Sequence, residues 1–144
     1  MKLIHKLDRQ AEKFDEDRDC AVKAIAVVTG CSYKKAHEIA ANFSRQPRDG
    51  LLPIYTWQAL ASMGFFLDVL PIPAKTVVTL ERWLDHQDSR NFYLIHMHNH
   101  VAGARGSRLH DWTRGRKFRI RDVLQVIPRT KKARNMHRKV HETV

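Results

Sequence analysis

DCAVKAIAVVTG, running from Asp19 to Gly30, carries a single charge, Lys23, between Cys20 and Val28. A surface helix shows one apolar stripe and one polar stripe, whereas a segment apolar on nearly every side belongs in the middle of a fold. The stretch therefore reads as a central, buried helix, with Asp19 as its N-cap and Gly30 as its stop. Downstream, Ser32 caps a second helix in which Tyr33, Ala36, Ala40 and Phe43 recur on one face, so the two helices pack together. Pro47, Asp49, Gly50 and Pro53 mark a loop over 44–53. A third helix is expected from Thr56 to Met63, stopped by Gly64, and a strand from Phe65 to Leu70 closed by Pro71 and Pro73. Thr79 opens a fourth helix with a Leu80, Trp83, Leu84 stripe. Upstream, residues 1–19 end in the acidic run Asp15, Glu16, Asp17 and Asp19, a helix or turn leading into the central helix.

Past Asn91 the period changes to that of strands. Phe92–Met97, His100–Ala104, Arg108–Trp112 and Asp122–Ile127 are expected strands, with a tight turn at Arg105, Gly106 and Ser107. Helices in front and an antiparallel sheet behind make the α+β class. The expected division is one domain over 1–128 and a basic tail over 129–144, read as a peripheral basic helix or partly disordered.

The chain has 144 residues and a formal net charge of +11. That length buries a core without staples, and no apolar run approaches a membrane span. The N-terminal residues lack an apolar h-region, so a cytoplasmic location is expected. Cys20 and Cys31 lie at opposite ends of one helix and are expected as free thiols. Residues 1–99 hold 13 Lys and Arg against 12 Asp and Glu, and residues 100–144 hold 13 against 3, so the excess lies in the last third. Arg114, Arg116, Lys117, Arg119, Arg121, Lys131, Lys132 and Arg134 form the expected basic surface. It suits an acidic protein partner, nucleic acid or a ribosome, or is merely solvated.

A cysteine in the first turn of a buried helix meets the positive end of the helix dipole, which favours thiolate. To act as a nucleophile it needs an imidazole, and the imidazole needs a third group to hold its tautomer. His100 opens one expected strand and Asp111 lies on the strand returning from it, so a hairpin brings them together. The plain alternative for Cys20 is a small buried side chain. Cys31 reads as structural. His96, His98 and His100 share a strand-like spacing that suggests a metal, but a turn at His98 and Asn99 breaks the alternation. No metal and no cofactor are expected. Trp57 and Trp83 read as core.

These stretches resemble the papain-like cysteine peptidase superfamily, and more closely its small phage- and bacteria-associated members. Asp19-Cys20-Ala21-Val22-Lys23-Ala24 matches a D-C-A-V-[RK]-A opening. His100-Val101-Ala102, leading through Gly106 to His110-Asp111-Trp112, is like an H-V-x…G-x-x-x-D-x-W stretch. The resemblance spans roughly residues 15–127 and implies a papain-like fold with Cys20 as nucleophile, His100 as general base and acid, and Asp111 as orienting carboxylate. It also implies a protein substrate and, for a phage product, action in the host cytoplasm. The superfamily takes its second oxyanion donor from a Gln or Asn shortly before the cysteine; Phe14 to Arg18 stand there instead. Arg18 or a backbone group is then the expected substitute, with Asp19 and Trp112 close to the site. The rival expectation is a non-catalytic module on the same fold that binds through its basic last third.

Overall fold

Residues 20–29 form the helix that the rest of the chain is built around. The structure, a computed structural model, describes residues 2–71, 80–88, 90–115 and 118–142. In chain order the elements are α1 (Leu3–Lys13), α2 (Cys20–Thr29), α3 (Tyr33–Asn42), α4 (Pro53–Ser62), β1 (Phe65–Val69), α5 (Leu80–Leu84), β2 (Phe92–Met97), β3 (His100–Arg105), β4 (Arg108–Leu109), β5 (Asp122–Pro128) and α6 (Lys131–Glu142). The class is α+β. Among the described residues no helix is long and apolar enough to cross a membrane. The expected Thr79 cap, the Pro73 turn, Arg116 and Lys117 lie outside the described residues.

Helix α2 is buried from Ala21 to Thr29 apart from Lys23, and Val22, Ile25, Val27 and Val28 are fully enclosed. Each such side chain contributes roughly 1.5–3 kcal/mol relative to exposure. Gly30 ends the helix in the left-handed conformation, φ 86°. Its last carbonyls are taken up by distant side chains: Arg105 Nε–H donates to Val27 O at 2.9 Å and His137 Nε2–H donates to Val28 O at 2.7 Å. At the other end Asp19 does not cap with its side chain. Buried, its carboxylate accepts from Tyr33 Oη–H at 2.8 Å and pairs with Lys23 Nζ at 3.4 Å. These partners hold the carboxylate away from the helix amides. Ser32 caps α3 as expected, accepting from Lys35 N–H at 3.1 Å.

All strand pairs are antiparallel, in the order β1-β5-β2-β3-β4. β1 leaves the helical half of the chain to add itself along β5, Phe65 opposite Pro128 through Val69 opposite Leu124. β2 lies centrally, all six residues buried. Phe92, Leu94 and Val101 face α2, while Tyr93, Ile95, Met97, Ala102 and Ala104 face a second cluster built on Leu80 and Leu84 of α5. A Cβ on Gly103 would stand 2.7 Å from Val27 Cβ, so this glycine sets how closely α2 lies on β3.

The third expected strand is shorter than its sequence pattern: β4 stops at Leu109. Asp111 Oδ2 accepts from the N–H of Thr113 two residues on, at 3.2 Å, and such a turn competes with the ladder. The basic segment after Arg129 is helical over Lys131–Glu142, with Ala133, His137 and Val140 buried. His137 stacks on Phe92, ring centroids 3.7 Å apart and planes 9° apart.

Candidate active site

Cys20 is the first residue of α2, where helix geometry leaves the opening N–H groups without intrahelical partners. His100 is the first residue of β3, directly after the hairpin turn at His98 and Asn99, and Asn99 adopts φ 52° there. The His100 ring lies between two partners. Its Nε2–H donates to Asp111 Oδ2 at 2.7 Å, and the ring shares a side-chain hydrogen bond with the Cys20 thiol. With Nε2 committed to the carboxylate, Nδ1 is the nitrogen left for sulfur. Asp111 is buried, and its Oδ2 also accepts from Thr113 Oγ1–H at 2.7 Å.

The ionisation follows from this geometry. Burial pushes the Cys20 thiol up, but the His100 hydrogen bond, the Val101 N–H on the sulfur and the His100 charge outweigh it, so Cys20 lies below its ordinary value. Burial pulls His100 down, while the hydrogen bonds and charges of Asp111 and Cys20 raise it to about 9. His100 is therefore protonated near neutral pH, and its charge and hydrogen bond favour the Cys20 thiolate over the thiol. Cys31 differs: burial raises its thiol above the ordinary value, with Thr29 only partly offsetting it.

Cys20 lines a cleft of about 660 Å³. Leu51, Leu52, Pro53, Thr56 and Trp57 form one wall, from the loop before α4 and its first turns. His96, Met97, Asn99, Arg121 and Asp122 form the other. The first wall is tied to the segment before Cys20 by a buried ion pair. Glu16 pairs with Arg45, both side chains almost wholly enclosed, and accepts from Arg48 N–H, while Arg45 Nη2–H donates to Arg18 O at 3.4 Å. Trp112, 56% exposed, packs against the His100 ring with centroids 5.1 Å apart and planes tilted by 51°.

Of the expected site residues, Cys20, His100, Asp111 and Trp112 come together and Arg121 reaches the cleft rim. Arg18 is exposed, and neither it nor Asp19 lines the cleft. Arg114 and Arg119 are exposed, as are Lys131, Lys132 and Arg134 on the outer side of α6. The three spaced histidines point to three different partners: His96 to Trp57, His98 to Asn99, His100 to Asp111. Among the described residues no three His, Cys, Asp or Glu side chains are grouped to hold a metal ion.

Three contributors were missed in the sequence. Thr113 braces Asp111, and D-x-T is a local turn pattern that could have revealed it. Trp57, expected as core, is half-buried on the cleft wall and donates to His96 across 39 residues of sequence. Arg45 anchors the loop before Cys20 from the far end of α3, and no local signal marks it. Comparisons with protein-family models, with curated proteins and with solved structures returned no match.

Proposed function

We propose that this chain is a small papain-like cysteine hydrolase that cleaves an amide, isopeptide or thioester bond through an acyl-enzyme on Cys20. The observation that carries the reading is the His100 ring held between Asp111 and Cys20. In the first half-reaction the Cys20 thiolate attacks the carbonyl carbon, and the oxyanion forms beside the Cys20 N–H at the start of α2. The His100 imidazolium then protonates the leaving nitrogen or sulfur as its bond to carbon breaks. In the second half-reaction neutral His100 takes a proton from water, the hydroxide attacks the thioester carbon, and the acid and the Cys20 sulfur separate. Asp111 stabilises the imidazolium and fixes its tautomer throughout, itself braced by Thr113.

A second reading has its own observation: Lys131, Lys132, Arg134 and Arg138 all project from the exposed side of α6. On that reading the basic face binds nucleic acid, a ribosome or an acidic protein, and the cleft is incidental. One comparison separates them. Cys20→Ala and a separate variant with Lys131, Lys132 and Arg134 changed to Glu are each tested against a library of peptidyl acyloxymethyl ketones and for binding to a mixed-sequence RNA. Covalent mass addition that disappears only with Cys20→Ala supports the hydrolase. RNA binding lost only in the charge-reversed variant, with no adduct in either, supports the module.

A further inference from the structure

We propose that His96 determines substrate specificity in this cleft, its Nδ1–H donating to an uncharged acceptor oxygen of the substrate, foremost a side-chain carboxamide beside the scissile bond. The proposal rests on the hydrolase reading.

The tautomer comes first. An indole nitrogen only donates, and Trp57 Nε1–H points at His96 Nε2 from 3.0 Å, so Nε2 is bare and the ring proton sits on Nδ1. Nδ1 has no protein partner among the described residues. It is not sealed off either: the enclosed side-chain polar atoms lacking a hydrogen bond there belong to Glu16, His37 and Arg45. His96 lines the same cleft as Cys20, and on this proposal its open nitrogen is the one a substrate there would meet. Burial lowers the affinity of His96 for a second proton, with Asp122 partly offsetting it, and the ring acts as a neutral donor near pH 7.

The position is close to the nucleophile. His96 stands opposite Val101 in the β2–β3 ladder, and Val101 N–H reaches the Cys20 sulfur. The facing wall of the cleft carries the apolar side chains of Leu51, Leu52 and Trp57. An aliphatic side chain drawn into this space would strip water from Nδ1–H without replacing its hydrogen bond. Leaving one donor unsatisfied costs about 1–3 kcal/mol, or roughly 5- to 150-fold in rate. A carboxylate would meet Asp49 and Asp122 as well as Arg121, all of which line the cleft, and Asp122 stands directly opposite His96 in the β2–β5 ladder. A carboxamide oxygen accepts from Nδ1–H and carries no charge for the two aspartates to repel.

The test uses dipeptidyl acyloxymethyl ketones bearing glutamine or norleucine at either residue, with inactivation rates read for wild type, His96→Phe and Trp57→Phe. At one of the two positions the glutamine probe should react at least about 5-fold faster than its norleucine twin. That ratio should fall to near unity in His96→Phe and drop in Trp57→Phe, where nothing fixes the tautomer. Nitrogen-15 NMR of the wild-type protein should show His96 protonated on Nδ1, a readout that survives if His96→Phe fails to fold. No preference at either position, no reaction with any of the probes, a ratio unchanged in both variants, or a proton on Nε2 would overturn the assignment. Iodoacetamide labelling of wild type against His100→Ala judges the underlying reading separately. Loss of His100-dependent labelling removes the hydrolase, whereas intact labelling with indifferent probes removes only the role of His96.

Discussion

Replacing His100 by alanine should slow alkylation of Cys20 by iodoacetamide at pH 7 several-fold, with about 30-fold as the ceiling that ionisation sets. An ordinary thiol, with a pKa of about 8.5, is roughly 3 per cent thiolate at pH 7, so complete ionisation is worth a factor of about 30. A stabilised thiolate is a weaker nucleophile, and that takes back part of the gain. In the wild-type protein His100, raised to about 9, is almost wholly imidazolium at pH 7 and holds the thiolate opposite it. Without the ring, burial and the Asp111 charge push the thiol up against only the Val101 N–H. The assay is a time course of alkylation from pH 5.5 to 8.5, read by mass spectrometry on the peptides containing Cys20 and Cys31, with circular dichroism to show that the variant is folded. Cys31 supplies an internal standard: burial raises its thiol, so its rate should climb about tenfold per pH unit through this range, while wild-type Cys20, its thiol lowered, should climb less steeply. A folded His100→Ala protein that alkylates Cys20 within twofold of wild type, or a Cys31 that reacts as fast as Cys20, would refute the reasoning.

Acyl transfer, unlike alkylation, needs the imidazolium proton for the leaving group. Its rate should therefore fall on the acid side as the depressed Cys20 thiol protonates and on the alkaline side near pH 9 as His100 loses its proton; a profile still rising through pH 10 would contradict this. Thr113→Val deletes the 2.7 Å hydroxyl bond to the Asp111 carboxylate and should cost about 1.5–3 kcal/mol in urea unfolding while lowering Cys20 reactivity several-fold. Gly103→Ala places a methyl 2.7 Å from Val27 Cβ and should destabilise by about 1–3 kcal/mol. By moving α2 off β3 it should slow Cys20 labelling too, and a loss of stability with unchanged labelling would show that the spacing is not set there. Arg45→Met leaves the Glu16 carboxylate buried without its cation and should cost about 3–5 kcal/mol; a melting temperature equal to wild type would rule out a structural role for the pair.

Much of this architecture is written in short-range pattern. The uniform apolarity of 20–28, the Gly30 stop, the Ser32 cap and the alternation of 92–97 and 100–105 each concern residues within a few positions of one another. Backbone sterics, capping and strand pleat act over that same range. Where a local pattern met a competing partner it yielded. Asp19 has the chemistry of an N-cap, but Tyr33 and Lys23 hold its carboxylate. Asp111 sits in a strand-like run, but its bond to Thr113 ends the ladder two residues earlier.

By itself, then, the sequence determined the central helix, the α+β class and the strands β2 and β3, while it left the two terminal helices open and set Asp111 on a strand that stops at Leu109. Only the tertiary structure decided what joins across long separations. Trp57 fixes the His96 tautomer over 39 residues, Arg105 closes the end of α2 over 78, and His137 does so over 109. The reason is physical: backbone preferences act between near neighbours, whereas a buried indole, guanidinium or imidazole must find whichever partner the packed chain brings to it.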